Sequence, residues 1–233
     1  MNEPPLVLEV ADLAIRFGRT EVLSGLTFHV ARGDALAIIG PNGAGKTVLL
    51  RALIGALPFE GTLRWAPDVR LGYVPQKLDI ARDAPLTGFD FLRARAALAG
   101  TRFDAPGVLA TVGLPVDAAE RPVGALSGGQ FQRLLVAFAL AGDPNVLLLD
   151  EPTACVDEPG QERLNELLHR MQQDRGLTVM LVSHDLSVVY RYATAVLCLG
   201  RRSACFGPPR EILTPDRLQE LYGSPTAFHI HDA

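Results

Sequence analysis

Two kinds of apolar run alternate along the chain. Residues 36–39, 146–149 and 179–182 are apolar at every position, as strands covered on both faces must be. They are expected to form a central, mostly parallel sheet. Residues 6–10, 13–17, 26–30, 61–65 and 71–74 are short runs in which apolar positions alternate with polar ones. That period of two belongs to half-buried strands, here assigned to an N-terminal antiparallel layer. Between residues 77 and 126 strand signals vanish and helix-start signals replace them. Thr87 with Asp90 three residues on can cap one helix, and Asp104 can cap another that Gly113 ends. Residues 77–141 or thereabouts therefore read as an inserted helical subdomain. Residues 195–199 and 203–206, joined across Gly200-Arg201-Arg202, suggest a closing hairpin. The C-terminal tail, about 207–233, reads as one short helix and a loose end after Pro208. The fold expected is α/β: one domain over 1–233, built from a mostly parallel sheet, an antiparallel β layer and a helical insert.

Composition narrows the partners. With 233 residues and 48% hydrophobic content, the chain can bury a sizeable core. A net charge of -4, with both signs scattered, gives no broad basic field for a nucleic-acid backbone, so nucleic acid is not an expected partner. No apolar run approaches the roughly 20 residues of a membrane span, and the start Met1-Asn2-Glu3-Pro4-Pro5 lacks a secretory pattern. A cytoplasmic protein is expected. Cys155, Cys198 and Cys205 are odd in number and lack paired metal spacing, which points to small reduced hydrophobes.

The strongest chemical signal is Gly40-Pro41-Asn42-Gly43-Ala44-Gly45-Lys46-Thr47, which follows an apolar strand and opens a helical pattern at 48–57. This is a P-loop in its required context. Glycines let backbone N–H groups converge on phosphates, and the helix N-terminus adds its positive end. Lys46 reaches the β/γ-phosphates, and the Thr47 hydroxyl can ligate Mg²⁺. ATP and Mg²⁺ are the cofactors expected. The run at 146–149 then delivers Asp150-Glu151 at a strand end, where open α/β sheets place ligands. Asp150 is suited to hold Mg²⁺, and Glu151 to take a proton from attacking water. Leu126-Ser127-Gly128-Gly129-Gln130, read alone, is a Ser-capped helix start, yet its hydroxyl and bare glycine amides also make a second anion site.

With that element present, the chain resembles the ATPases of ABC transporters, and Ser127, Gly128, Gly129 and Gln130 resemble the family's signature. In that family the signature of one subunit closes over the γ-phosphate held by the other, so the resemblance implies a head-to-tail homodimer. The rest of the family set follows in order. Gln76, in Tyr73-Val74-Pro75-Gln76, resembles the Q-loop residue that senses Mg²⁺ and attacking water. Asp157 resembles the D-loop aspartate of the trans site. His184, in Ser183-His184-Asp185, resembles the switch histidine that contacts the γ-phosphate. Phe17 resembles the aromatic residue that stacks on adenine, worth about 1–3 kcal/mol by analogy with base stacking. Two positions depart from the usual pattern: Ala154-Cys155-Val156 precedes Asp157 where Ser-Ala-Leu is common, and Phe17 stands for a tyrosine. Lys46, Asp150, Glu151 and His184 are all present, so the resemblance implies an active ATPase.

The resemblance further implies separate transmembrane permease subunits, an extracytoplasmic solute-binding protein and a peripheral place on the inner face of the membrane. Chromosome-type relatives interrupt the core with a long coiled coil, and no heptad run separates Lys46 from Ser127. A cluster-assembly ATPase and an importer of another small solute stand as alternatives. Over 71–77 and 182–222 the sequence is similar to ATP-binding subunits of metal-uptake ABC transporters, which implies zinc or manganese as the solute. The tail Phe228-His229-Ile230-His231-Asp232 adds two imidazoles and a carboxylate able to hold such an ion.

Overall fold

The computed structural model describes residues 4–78, 85–102, 104–153, 157–200 and 204–223. In chain order the elements are β1 (Leu6–Phe17), β2 (Thr20–Ala31), β3 (Ala35–Ile39), α1 (Lys46–Leu53), β4 (Glu60–Trp65), β5 (Leu71–Val74), α2 (Gly88–Ala99), α3 (Ala105–Thr111), α4 (Val116–Ala119), α5 (Gly128–Leu140), β6 (Val146–Asp150), α6 (Glu158–Arg175), β7 (Thr178–Val182), α7 (Leu186–Tyr192), β8 (Ala195–Leu199), β9 (Ala204–Gly207), α8 (Pro209–Ile212) and α9 (Pro215–Tyr222). They fall into two compact units, Met1–Asp68 with Thr178–Ala233, and Val69–Leu177.

In the first unit β1 lies antiparallel between β2 and β4. The alternating runs 6–10 and 13–17 are one strand. The register shifts between Val10 and Leu13, and Asp12 takes φ 51°, a left-handed conformation that Asp tolerates better than most side chains. This bulge puts Val10 and Leu13 on the same buried face three residues apart, which is why the period of two breaks there. A second group of strands has β3 parallel to both β7 and β8, with β9 antiparallel beside β8. Leu36, Ile38 and Ile39 are buried completely or nearly so, as their apolar run requires.

The tail corrects one expectation. After Pro208 there are two short helices, because the backbone breaks at Leu213 and Thr214 caps a new helix by accepting from the Arg217 N–H. Leu213 and Leu218 pack with Ile39, Val196 and Cys198. The histidines His229 and His231 lie outside the described residues. A second correction concerns the cysteines: Cys198 and Cys205 are register partners across β8 and β9, 4.9 Å apart at Cα, and are disulfide-bonded. Their spacing alone does not reveal this, since it is the hairpin register that sets them opposite each other. Cys155 lies outside the described residues.

In the second unit β5 pairs parallel with β6, Val74 opposite Leu149, and is not part of the antiparallel layer to which its alternation assigned it. Gly72 explains the misreading. A Cβ there would stand 2.9 Å from Leu147 Cδ1 and 3.2 Å from the Ala139 carbonyl, so the position that breaks the apolar run is closely covered where a side chain would stand. The helices start where expected. Thr87 and Asp90 form a reciprocal capping box on α2, and Asp104 accepts from the Gly107 N–H at the start of α3. Phe91 of α2 stacks on Phe138 of α5, centroids 4.2 Å apart. Among the described residues no helix is long and apolar enough to cross a membrane.

Candidate functional site

The P-loop belongs to the first unit. Buried β3 ends at Ile39, the loop turns through Gly40, and α1 begins at Lys46. The helix ends at Leu53, short of the expected residue 57, because the chain turns at Gly55, which has φ 76°. Two glycines are fixed by their surroundings. Gly40 has φ 151°, and a Cβ there would fall on the carbonyl oxygen of Leu199, the last residue of β8. Gly45, the N-cap of α1, has φ 94°, and its Cβ would stand 2.8 Å from Leu23 Cδ2. Lys46, 6% exposed, donates from Nζ to the carbonyls of Gly40 at 2.8 Å and Pro41 at 3.1 Å. The loop is thus held in its curve by its own lysine, with Asn42 and Gly43 at the exposed rim.

Other residues of the first unit sit near this end of the sheet. The parallel register of β3 and β7 ends with Ile38 opposite Val182, and the Ser183 N–H donates to the Ile38 carbonyl. His184 therefore leaves the strand one step beyond and is exposed. Asp185 caps α7, accepting from the Ser187 and Val188 N–H groups at 2.8 and 3.3 Å, which fixes the turn that carries His184. Phe17 ends β1 and is 49% exposed, an exposed aromatic residue of the kind that can stack on a base. Sequence reasoning missed Leu199 and Tyr222, both set against Gly40. Burial pushes the Tyr222 phenol up, and the Gly40 N–H partly offsets this. Such backbone contacts leave no motif.

The carboxylates belong to the second unit. All of β6 is buried, and Asp150 at its end is 1% exposed. Glu151 then takes φ 48°, a left-handed conformation costly for a residue other than glycine and concentrated at functional sites. Because Val74 and Leu149 are opposite one another, Gln76 and Glu151 emerge from the same end of the β5–β6 pair. Gln76 Nε2 donates to Glu151 Oε2 at 2.7 Å.

The signature also lies in the second unit. Ser127 caps α5, its Oγ accepting from the Gln130 N–H at 3.2 Å, while Gln130 Oε1 accepts from the Ser127 N–H at 3.0 Å. The plain reading of a Ser-capped helix is therefore correct as far as it goes. The Ser127 hydroxyl keeps its proton to donate. Gly129 differs from the P-loop glycines: its φ is not positive, and a Cβ there would meet nothing within 4 Å. Asp157 is the N-cap of α6 yet makes no capping hydrogen bond with its side chain. Residues 154–156 lie outside the described residues.

The family model described as ABC transporter matches residues 23–154. The chain belongs to the ABC transporter family. A curated relative from Cereibacter sphaeroides, named zinc import ATP-binding protein ZnuC, is 41% identical over 92% of this chain and 87% of its own length. Among solved structures, one described as a metal-chelate type ABC transporter in an inward-facing conformation is similar at a TM-score of 0.84 and 28% identity, covering 94% of this chain and 89% of that one. A dimeric bacterial ABC transporter cassette, 24% identical with a TM-score of 0.73 over 82% of this chain and 94% of that one, shares the fold. The α/β cassette fold read from the sequence is the one found.

Proposed function

We propose that this chain is the ATP-hydrolysing subunit of an ABC importer for a transition-metal ion, zinc foremost. It works as a head-to-tail dimer on separate permease subunits at the cytoplasmic face of the membrane, with an extracytoplasmic solute-binding protein in the same system. The observation that carries the ATPase reading is the Glu151 carboxylate, turned out by a left-handed residue at the end of a buried strand and met by Gln76 at 2.7 Å. A base so oriented is what proton transfer from an attacking water needs.

In this reading Phe17 stacks on adenine, residues 40–47 cradle the phosphates, and Lys46 exchanges its loop carbonyls for phosphate oxygens. Glu151 receives the water proton, and His184 contacts the γ-phosphate. Ser127, Gly128, Gly129, Gln130 and Asp157 serve the nucleotide of the second copy. The open Cβ position of Gly129 supports this, since a glycine needed neither by its own backbone angle nor by its own chain's packing leaves room for an outside group. The donor set fits Mg²⁺: the Thr47 hydroxyl and Asp150 carboxylate are hard oxygen ligands. Gln76 donates through Nε2, so its amide oxygen is the atom that can face the cation. When bound, Mg²⁺ neutralises charge on the β- and γ-phosphates.

Zinc is supported by the name of the relative from Cereibacter sphaeroides and by the resemblance over 71–77 and 182–222. Cells lacking this chain are expected to accumulate less zinc and to grow poorly under chelation until zinc is restored. Normal zinc content alongside a defect for manganese or an organic nutrient would replace the solute. Co-purification with a soluble scaffold and no membrane subunit would replace transport by cluster assembly.

A further inference from the structure

We propose that Cys198 and Cys205 are a reversible thiol–disulfide pair that sets the affinity of the P-loop for ATP, with glutathione disulfide as the class of oxidant. The proposal rests on the reading of the chain as an ATP-binding subunit facing the cytoplasm, where a disulfide is more often a sensor than a structural staple.

The pair adjoins the nucleotide site through two registers. On one side Cys198 of β8 is paired with Ile39, the residue before Gly40. On the other it faces Cys205 of β9, and the next residue, Leu199, faces Ala204. The Leu199 carbonyl occupies the place a Cβ on Gly40 would take. The bond therefore ties the end of β8, which walls the P-loop at its first glycine, to the neighbouring strand. Exposure divides the labour between the two sulfurs. Cys198 is 3% exposed and packed among Leu213 and Leu218, whereas Cys205 is only half-buried and can be reached from solvent.

The exchange balances without further reagents. The Cys205 thiolate attacks one sulfur of glutathione disulfide, the glutathione S–S bond breaks, and one glutathione leaves as a thiol. The Cys198 thiolate then attacks Cys205 Sγ and expels the second glutathione. Two cysteine thiols are oxidised to one disulfide, one glutathione disulfide is reduced to two thiols, and the two cysteine protons end on the released glutathiones. With the bond closed, the wall beneath Gly40 is fixed before ATP arrives, so less ordering is left for binding. With it open, the end of β8 is held by its strand pairing and packing without the covalent tie, and the loop binds more weakly. Linkage makes this reciprocal: ATP favours the disulfide by the same factor by which the disulfide favours ATP.

The test poises the intact chain in glutathione buffers of increasing disulfide fraction. It then measures binding of a non-hydrolysable ATP analogue together with thiol modification by a maleimide. The expected result is loss of two reactive thiols, with Cys198 and Cys205 recovered as one linked peptide, and analogue binding about fivefold tighter in the oxidised chain. Saturating analogue should shift the half-oxidation point toward reducing buffers by the same factor. The Cys198→Ser/Cys205→Ser chain should bind like the reduced form in every buffer. Cys205→Ser alone, at the less buried position, serves if the double change does not fold. Two thiols that stay reduced throughout, or affinity that ignores the redox state, would overturn the proposal. So would a redox response that survives Cys205→Ser, which would lie with Cys155 or with Cys198 alone. Absence of analogue binding in both states would instead overturn the ATP-binding reading itself.

Discussion

The P-loop and the signature are both glycine-bearing segments that lead into helices, yet their glycines answer to different neighbours. In the P-loop the chain itself demands them: Gly40 and Gly45 have positive φ, and a Cβ at either would strike Leu199 or Leu23. Lys46 then fastens the curve from within. In the signature, Gly129 has neither constraint, and the nearest side chains, Ser127 and Gln130, are occupied with each other. One motif is complete within its own unit, while the other is a tidy helix end whose bareness has no use there. A glycine whose Cβ would meet nothing and whose φ is not positive is one that its own chain does not require.

The widest effect is expected where neither backbone is disturbed. Glu151→Gln keeps the shape of the side chain and its contact with Gln76 but removes the proposed base, so steady-state ATP turnover should fall by about 10²–10⁴-fold. ATP binding should persist, and the chain should accumulate as an ATP-bound dimer in gel filtration. Turnover within a few-fold of the parent would show that Glu151 is only a structural partner of Gln76.

The contrast between glycines can be broken directly. Gly40→Ala forces a methyl group onto a backbone carbonyl and should lower stability by about 1–3 kcal/mol, with loss of ATP binding. Gly129→Ala meets nothing and restricts the unfolded chain, so thermal unfolding should be unchanged or raised by up to about 1 kcal/mol. Its turnover should nonetheless drop about 10²-fold if, as proposed, a nucleotide held by a second copy must approach this glycine. A Gly129→Ala chain with full activity would end the argument that this glycine is reserved for a partner.

Legibility in the sequence follows the same division. What could be read was whatever a segment carries by itself: the all-apolar runs of β3, β6 and β7, the P-loop between a strand and a helix, and the Thr87 and Asp104 caps. What could not be read depends on a second segment. The bulge at Asp12 is visible only in the register of β1 against β2. The parallel pairing of β5 depends on how closely Ala139 and Leu147 cover Gly72. The cysteine pair depends on hairpin register, and the wall behind Gly40 is a carbonyl from β8. For the candidate site, the residue types were legible, but the left-handed turn that aims Glu151 at Gln76 was not, because nothing in Asp-Glu-Pro spells a positive φ.

The smallest effect separates capping from function. Thr87 and Ser127 both cap helices of the second unit through reciprocal boxes, Thr87 with Asp90 and Ser127 with Gln130. Replacing either N-cap by alanine should cost about 1 kcal/mol in denaturant unfolding. Only Ser127→Ala should also reduce ATP turnover, since in the proposed dimer only that hydroxyl is offered to a nucleotide. The boxes differ again in acid. The Thr87 hydroxyl, and then its backbone N–H, hold the Asp90 carboxyl below its ordinary value. A carboxylate depressed in the folded state contributes stability that is fully present above its unfolded pKa and is lost as pH falls through the folded one. The Thr87→Ala penalty should therefore shrink in acid, whereas the Ser127→Ala penalty, with an amide as its partner, should not follow that titration. Unfolding curves of both variants and the parent between neutral and acidic pH would decide it. Equal acid dependence in the two boxes would mean that the Thr87–Asp90 contact does not form in solution.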